Sequence, residues 1–136
     1  MILGIGIDLV HVPRIASLIA RRGFEGLARR VLSDEEMSVY RKQFIIDGSK
    51  VSMDKQNALH QKQIMFLASR WSMKEAVYKA LYPVHKLEWK QKLVWFSSSG
   101  KPTLHVMHGE KFGIRRSHVS LSHDGEYIVA QVILES

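Results

Sequence analysis

Two carboxylates and one ammonium in this chain have the types and spacing of phosphate chemistry. Glu75 and Lys79 are one helical turn apart. With Ser72 they fall within roughly 60° of one another at about 100° per residue. Their surroundings are apolar: Ile64, Phe66, Leu67, Ala68, Trp71, Met73, Ala76, Val77, Ala80 and Leu81 cover most other directions. Charges among apolar neighbours are costly unless paired or serving an ion. Two readings stand. One is an i, i+4 Glu75–Lys79 ion pair, contributing a few tenths of a kcal/mol. The other is a carboxylate metal ligand with a phosphate-binding lysine one turn on. Asp8 ends an apolar strand just before a helix, where an acid serves as a cap. Aimed instead at Glu75, it completes a hard oxygen site that suits magnesium with waters and substrate phosphates.

Other polar clusters say less. Val119-Ser120-Leu121-Ser122-His123 alternates as a strand, and its histidine, like His118, reads first as a residue with a satisfied N–H. No nucleophile elbow supports a hydrolase triad with Ser122 or His123. Gly4-Ile5-Gly6 lacks the third glycine and βαβ context of a dinucleotide site, and its glycines suit close backbone packing. The absence of cysteine excludes disulfides, thiolate zinc sites and a cysteine nucleophile.

The elements that must hold these residues follow from periodicity. Met1 to Val10, with Ile2, Leu3, Ile5, Ile7 and Leu9 apolar, predicts a short buried strand rather than a targeting peptide. Pro13 opens a helix with Ile15, Leu18 and Ile19 on one face and Arg14, Arg21 and Arg22 left to solvent, ended by Gly23. Phe24 to Val31 is a second helix. Ser33 and Glu36 form a capping box for a third, with Met37 and Tyr40 on its apolar side. Ile46 to Gln61 is polar without a clear period and predicts a mobile loop. The longest helix spans about Gln61 to Leu81 and stops at Pro83. Two hairpins follow, Leu93–Ser97 with Thr103–Met107 and His118–Ser122 with Tyr127–Leu134, the second turning at Asp124-Gly125. This order predicts one α+β domain over 1–136, with helices packed on one face of a mainly antiparallel sheet.

The length of 136 residues suits one hydrophobic core. No apolar run is long enough to span a bilayer, so no membrane partner is expected. A net charge of +7 favours an acidic partner without choosing among nucleic acid, anionic lipid, phosphorylated ligand or acidic protein.

Three segments together resemble the signatures of the 4′-phosphopantetheinyl transferases: Gly4-Ile5-Gly6-Ile7-Asp8-Leu9-Val10, then Arg70-Trp71-Ser72-Met73-Lys74-Glu75-Ala76-Val77-Tyr78-Lys79-Ala80-Leu81, then Val119-Ser120-Leu121-Ser122-His123. Their order and spacing, with the run Leu27-Ala28-Arg29-Arg30-Val31-Leu32-Ser33, resemble the holo-[acyl-carrier-protein] synthase branch. The resemblance implies transfer of the 4′-phosphopantetheine arm of coenzyme A to a serine of an acyl carrier protein, for fatty acid synthesis. It implies that Asp8 and Glu75 hold Mg2+, and that Lys79 meets a phosphate. Lys62, Arg70, Ser122 and His123 then contact the nucleotide end, and Arg14, Leu18, Arg21 and Arg22 the acidic helix of the carrier. The base is Glu75 or a metal-bound water. A homotrimer with sites between subunits is implied as well.

Two features depart from the pattern. Leu81-Tyr82-Pro83-Val84 stands where bacterial relatives have a glycine-rich turn, and His11 where many carry an acid near the metal. The first, with Trp71 and the long loop, resembles eukaryotic stand-alone enzymes and points to the mitochondrial matrix, with bacterial cytoplasm as the alternative. The main rival, a basic RNA-binding module, calls for exposed aromatics among the basic residues. Trp71 and Tyr78 fall in a helix expected to be buried, so no nucleic acid partner is expected. A non-catalytic carrier-binding scaffold would need neither Asp8 nor Glu75.

Overall fold

The computed structural model describes residues 1–44, 53–96 and 99–136. Strand β1 (Ile2–His11) leads into three helices, α1 (Val12–Arg22), α2 (Phe24–Val31) and α3 (Asp34–Phe44), and then the long α4 (Met53–Leu81). Strands β2 (Lys92–Phe96) and β3 (Pro102–Val106) follow, then β4 (Arg116–Asp124) and β5 (Tyr127–Glu135). An antiparallel sheet has the order β1-β5-β4, while β2 and β3 form a separate antiparallel pair. The expected α+β arrangement, helices on an antiparallel sheet, is what forms.

Strand β5 makes the sheet one-sided. Ile128, Ala130, Val132 and Leu134 alternate into the core, the last three beneath the second half of α4 with Met73, Ala76, Val77 and Ala80. A second cluster joins α1, α2 and α3 to the first half of α4 through Ile15, Leu27, Val31, Tyr40 and Leu67. Tyr40, Phe44 and Phe66 meet there with ring centroids 5.1–5.5 Å apart.

β1 touches α4 backbone to backbone. A Cβ on Gly4 would overlap the Ala80 carbonyl oxygen, and one on Gly6 the Ala76 carbonyl oxygen. The even positions of β1 therefore face the helix, and Gly6, Asp8 and Val10 are buried. The odd apolar positions Ile5, Ile7 and Leu9 face away and are exposed, so the strand is buried on one face only. The strand also runs three residues past Asp8 to His11. Asp8 thus caps no helix; His11 holds the cap position of α1, without a side-chain hydrogen bond.

Helix α4 starts at Met53, so residues 53–61 are helical where a loop was expected. The signal was absent because Leu59 is the one partly buried residue from Met53 to His60, where His60 adds an edge-on ring contact with Phe24, so no apolar period marks the turn. The remainder of the expected loop, 46–52, lies outside the described residues, as do residues 97 and 98 of the first hairpin connection. Several local signals hold. Pro13 lies in the first turn of α1, and Gly23 ends that helix at φ 78°. The Ser33–Glu36 capping box closes with bonds of 3.0 and 3.2 Å.

Candidate functional site

Glycine at positions 4 and 6 brings β1 against α4, and the next inward residue is Asp8. Its Oδ1 accepts a hydrogen bond from Lys79 Nζ at 2.9 Å, and Lys79 also donates to the Ile7 carbonyl oxygen at 3.2 Å. Asp8 Oδ2 is buried and has no hydrogen-bond partner. Among the described residues no Glu75–Lys79 ion pair forms; the lysine turns to the strand instead.

The surface of α4 is narrower than its composition suggests. From Trp71 to Tyr82 every residue is buried except Trp71, Glu75, Tyr78, Lys79 and Tyr82. At about 100° per residue these five share a stripe about 100° wide. Ser72 lies just outside it, fully buried, its hydroxyl donating to the Ser69 carbonyl oxygen at 2.9 Å. Glu75 and Lys79 thus stand on one open stripe, and Asp8 meets it through Lys79. Two carboxylates, one with a buried unpartnered oxygen, form a donor set that fits a hard divalent cation.

The predicted nucleotide contacts are dispersed within one chain. Arg70 is buried, its guanidinium over the Phe66 ring at 3.4 Å from the centroid. Burial pushes its pKa down to about 10, with Glu36 opposing. Lys62 is exposed, thirteen residues before Glu75, about 20 Å along the helix. Ser122 and His123 are exposed neighbours on β4 and project to opposite faces. β5 separates β4 from β1, which puts them two strand spacings, about 10 Å, from β1.

Arg14, Leu18, Arg21 and Arg22 do come together. They line a cavity of about 470 Å³ with Leu27 and Arg30 of α2 and Trp71 of α4. The Arg14 guanidinium lies 5.9 Å from the Trp71 ring centroid, and Trp89 packs on the same tryptophan at 4.9 Å. Trp71 is therefore part-exposed beside arginines rather than sunk in the core. Arg30 escaped sequence reasoning because it sits on another helix. Only the tertiary packing of α1 on α2 joins them.

Lys74 was also missed. It is fully buried, and its Nζ donates to the Val31 carbonyl oxygen at 2.7 Å and to Glu36 Oε1. Burial lowers its pKa, and Glu36 opposes the shift. The capping box of α3 is thereby tied to the helical turn that carries Glu75. His11 pairs with Glu126 at 2.9 Å and lies against Tyr127, on the sheet face opposite Asp8.

A model of the 4′-phosphopantetheinyl transferase superfamily matches residues 4–132. The chain belongs to this superfamily. It is 37% identical to the holo-[acyl-carrier-protein] synthase of Klebsiella pneumoniae, covering 99% of this chain and 98% of that relative. The Neisseria meningitidis synthase superposes with a TM-score of 0.78 at 26% identity, covering 100% of each chain. A Bacillus anthracis synthase solved in complex with CoA (3′,5′-ADP) gives 0.70 at 29% identity, covering 100% of this chain and 98% of that one. On the open stripe Glu75 and Lys79 stand one turn apart, and Lys79 reaches Asp8 on β1. The bacterial relatives lend no support to the mitochondrial expectation. No helix among the described residues is long and apolar enough to cross a membrane.

Proposed function

We propose that this chain, read as one domain over 1–136, is a magnesium-dependent holo-[acyl-carrier-protein] synthase. It transfers the 4′-phosphopantetheine arm of coenzyme A to a serine of apo acyl carrier protein and releases 3′,5′-ADP. The observation that carries this reading is the Asp8–Lys79 pair beside Glu75, in a chain matched end to end by such synthases.

The nucleophile belongs to the carrier, so the chain supplies positioning and charge. The serine oxygen bonds to the β-phosphorus, and the bond from that phosphorus to the bridging oxygen breaks. The electron pair leaves on 3′,5′-ADP. The serine proton passes to a base, for which Glu75, half-buried on the open stripe, is the chain's own group. Lys79, half-exposed, neutralises charge on the phosphates while Asp8 fixes its position. Asp8 Oδ2 and Glu75 would hold a magnesium ion, which when bound supplies charge neutralisation for the pyrophosphate.

The arginine-rimmed cavity takes the carrier. Arg14, Arg21, Arg22 and Arg30 attract an acidic helix, and Leu18, Leu27 and Trp71 receive an apolar side chain from it. The assembly is a closed homotrimer. The exposed strip of Ile5, Ile7 and Leu9 needs cover. The remote edge position of Ser122 and His123 suits their use on a neighbouring copy's nucleotide, with Lys62 and Arg70 completing that end. The compartment is the bacterial cytoplasm.

The test is mass spectrometry of an apo carrier incubated with the protein, coenzyme A and magnesium. A mass gain of one phosphopantetheine on the carrier serine is expected. An unmodified carrier, with salt-dependent RNA binding in its place, would move the reading to the basic-module class.

A further inference from the structure

The open stripe of α4 ends in two tyrosines. Tyr82 stacks on Tyr78, with centroids 5.7 Å apart and planes 29° from parallel. The Tyr82 N–H donates to the Tyr78 carbonyl oxygen at 2.9 Å, which keeps Tyr82 in helical register one turn past Tyr78. Tyr82 is 56% exposed, so beyond its contact with Tyr78 much of the side chain is accessible. The other aromatic residue of the stripe, Trp71, is already engaged by Arg14 and Trp89.

The order along the stripe has chemical meaning. Trp71 marks the cavity, Glu75 and Lys79 follow, and the tyrosines come last. Displacement at phosphorus sets the entering and leaving oxygens roughly in line on opposite sides. A serine presented from the cavity end sends its leaving group toward Tyr82. From Glu75 to Tyr82 is about 10 Å along the axis, a span that a nucleotide covers when extended from β-phosphate to base. Lys79 stands between, beside the path of the phosphates.

We propose that Tyr82, backed by Tyr78, is the platform on which the adenine of coenzyme A stacks. The inference rests on the transferase reading and adds to it a subsite made from this chain's own turn after α4. An accessible aromatic ring at the end of the stripe suits a purine, because stacking needs only a π-face and tolerates a solvent-exposed edge. A helix-end tyrosine pair with no ligand role would leave nucleotide affinity untouched when Tyr82 is truncated.

Calorimetry separates these possibilities. Coenzyme A, 3′,5′-ADP and 4′-phosphopantetheine are each titrated into the unsubstituted protein, Tyr82→Ala and Tyr82→Phe. Tyr82→Ala weakens coenzyme A and 3′,5′-ADP about tenfold, or about 1.4 kcal/mol. Phosphopantetheine, which lacks the base, stays within about twofold, and so do all three ligands with Tyr82→Phe, which keeps the ring. Unchanged 3′,5′-ADP affinity in Tyr82→Ala overturns the platform alone, as does an equal loss for phosphopantetheine. Failure of the unsubstituted protein to bind coenzyme A overturns the platform and the transferase reading together.

Discussion

Lys79 reaches across 71 residues of sequence to hold one oxygen of Asp8, while the other oxygen stays buried with no hydrogen-bond partner. One carboxylate thus has two different environments. The oxygen facing Lys79 is fixed, and the second can serve an ion.

Asp8→Asn removes the ligand charge and keeps the volume, and Glu75→Gln does the same on the helix. Each lowers transfer by about 100-fold or more, at least the loss seen when groups that merely support a metal ligand are removed. Turnover is followed by mass spectrometry of the carrier, with circular dichroism to verify the fold. Near-normal rates for both variants at saturating magnesium exclude the assigned site.

Lys74 and Glu36 form a fully desolvated pair, so breaking it is costly. Lys74→Met leaves Glu36 buried beside its cap and destabilises the chain by about 3–5 kcal/mol. Adding Glu36→Gln recovers a large part of that loss. The linkage has a definite sign. Burial lowers the lysine's folded-state pKa from its ordinary 10.5. Just below that value the unfolded chain holds a proton that the folded chain gives up more readily. The group's contribution to stability therefore rises with pH through that window. Urea unfolding of both proteins across the alkaline range measures the difference.

Arg14→Glu with Arg21→Glu reverses charge at the rim of the cavity. Carrier association slows, and its dependence on salt flattens, because rim charges act chiefly on the on-rate. Coenzyme A affinity, read by calorimetry, is retained. Carrier kinetics unchanged over a range of ionic strengths would show that the arginines face a different partner.

Ile7→Glu places a charge in the exposed strip of β1, opposite Gln131 in the register. Assembly weakens while the fold of each subunit survives, since position 7 points away from α4. Sedimentation reads the outcome. An active monomer of the unsubstituted protein at working concentration would remove the trimer.

The fold was legible wherever local chemistry decides it. The capping box at Ser33, Pro13 in the first turn of α1 and the stop at Gly23 each follow from short-range bonding. The beginning of α4 was not legible, because a polar helix held by Leu59 and by the His60 ring on Phe24 has no hydrophobic period to read. At the candidate site, Asp8, Glu75 and Lys79 stood out by type and spacing, and Asp8 and Lys79 do pair. What Lys79 bonds to was not, because its partner lies on a distant strand and wheel arithmetic sees only its own helix. Lys74 was hidden for the same reason, its partner Glu36 being supplied by α3.

The contact of Gly4 and Gly6 with the carbonyl groups of Ala80 and Ala76 acts as a hard stop. Side-chain cores yield when substituted, but two backbones in contact have no slack. The spacing between the strand of Asp8 and the helix of Glu75 is therefore insulated from changes elsewhere in the core. Ile128→Val or Leu134→Met can lower the melting temperature and leave turnover in the surviving folded fraction intact. Gly6→Ala does the reverse of an ordinary conservative change: it adds one methyl group and wedges the strand of Asp8 and the helix of Glu75 apart. The backbone contact thus fixes the spacing of these two elements, and a substitution that breaks it costs the fold and the arrangement of Asp8 and Glu75 together.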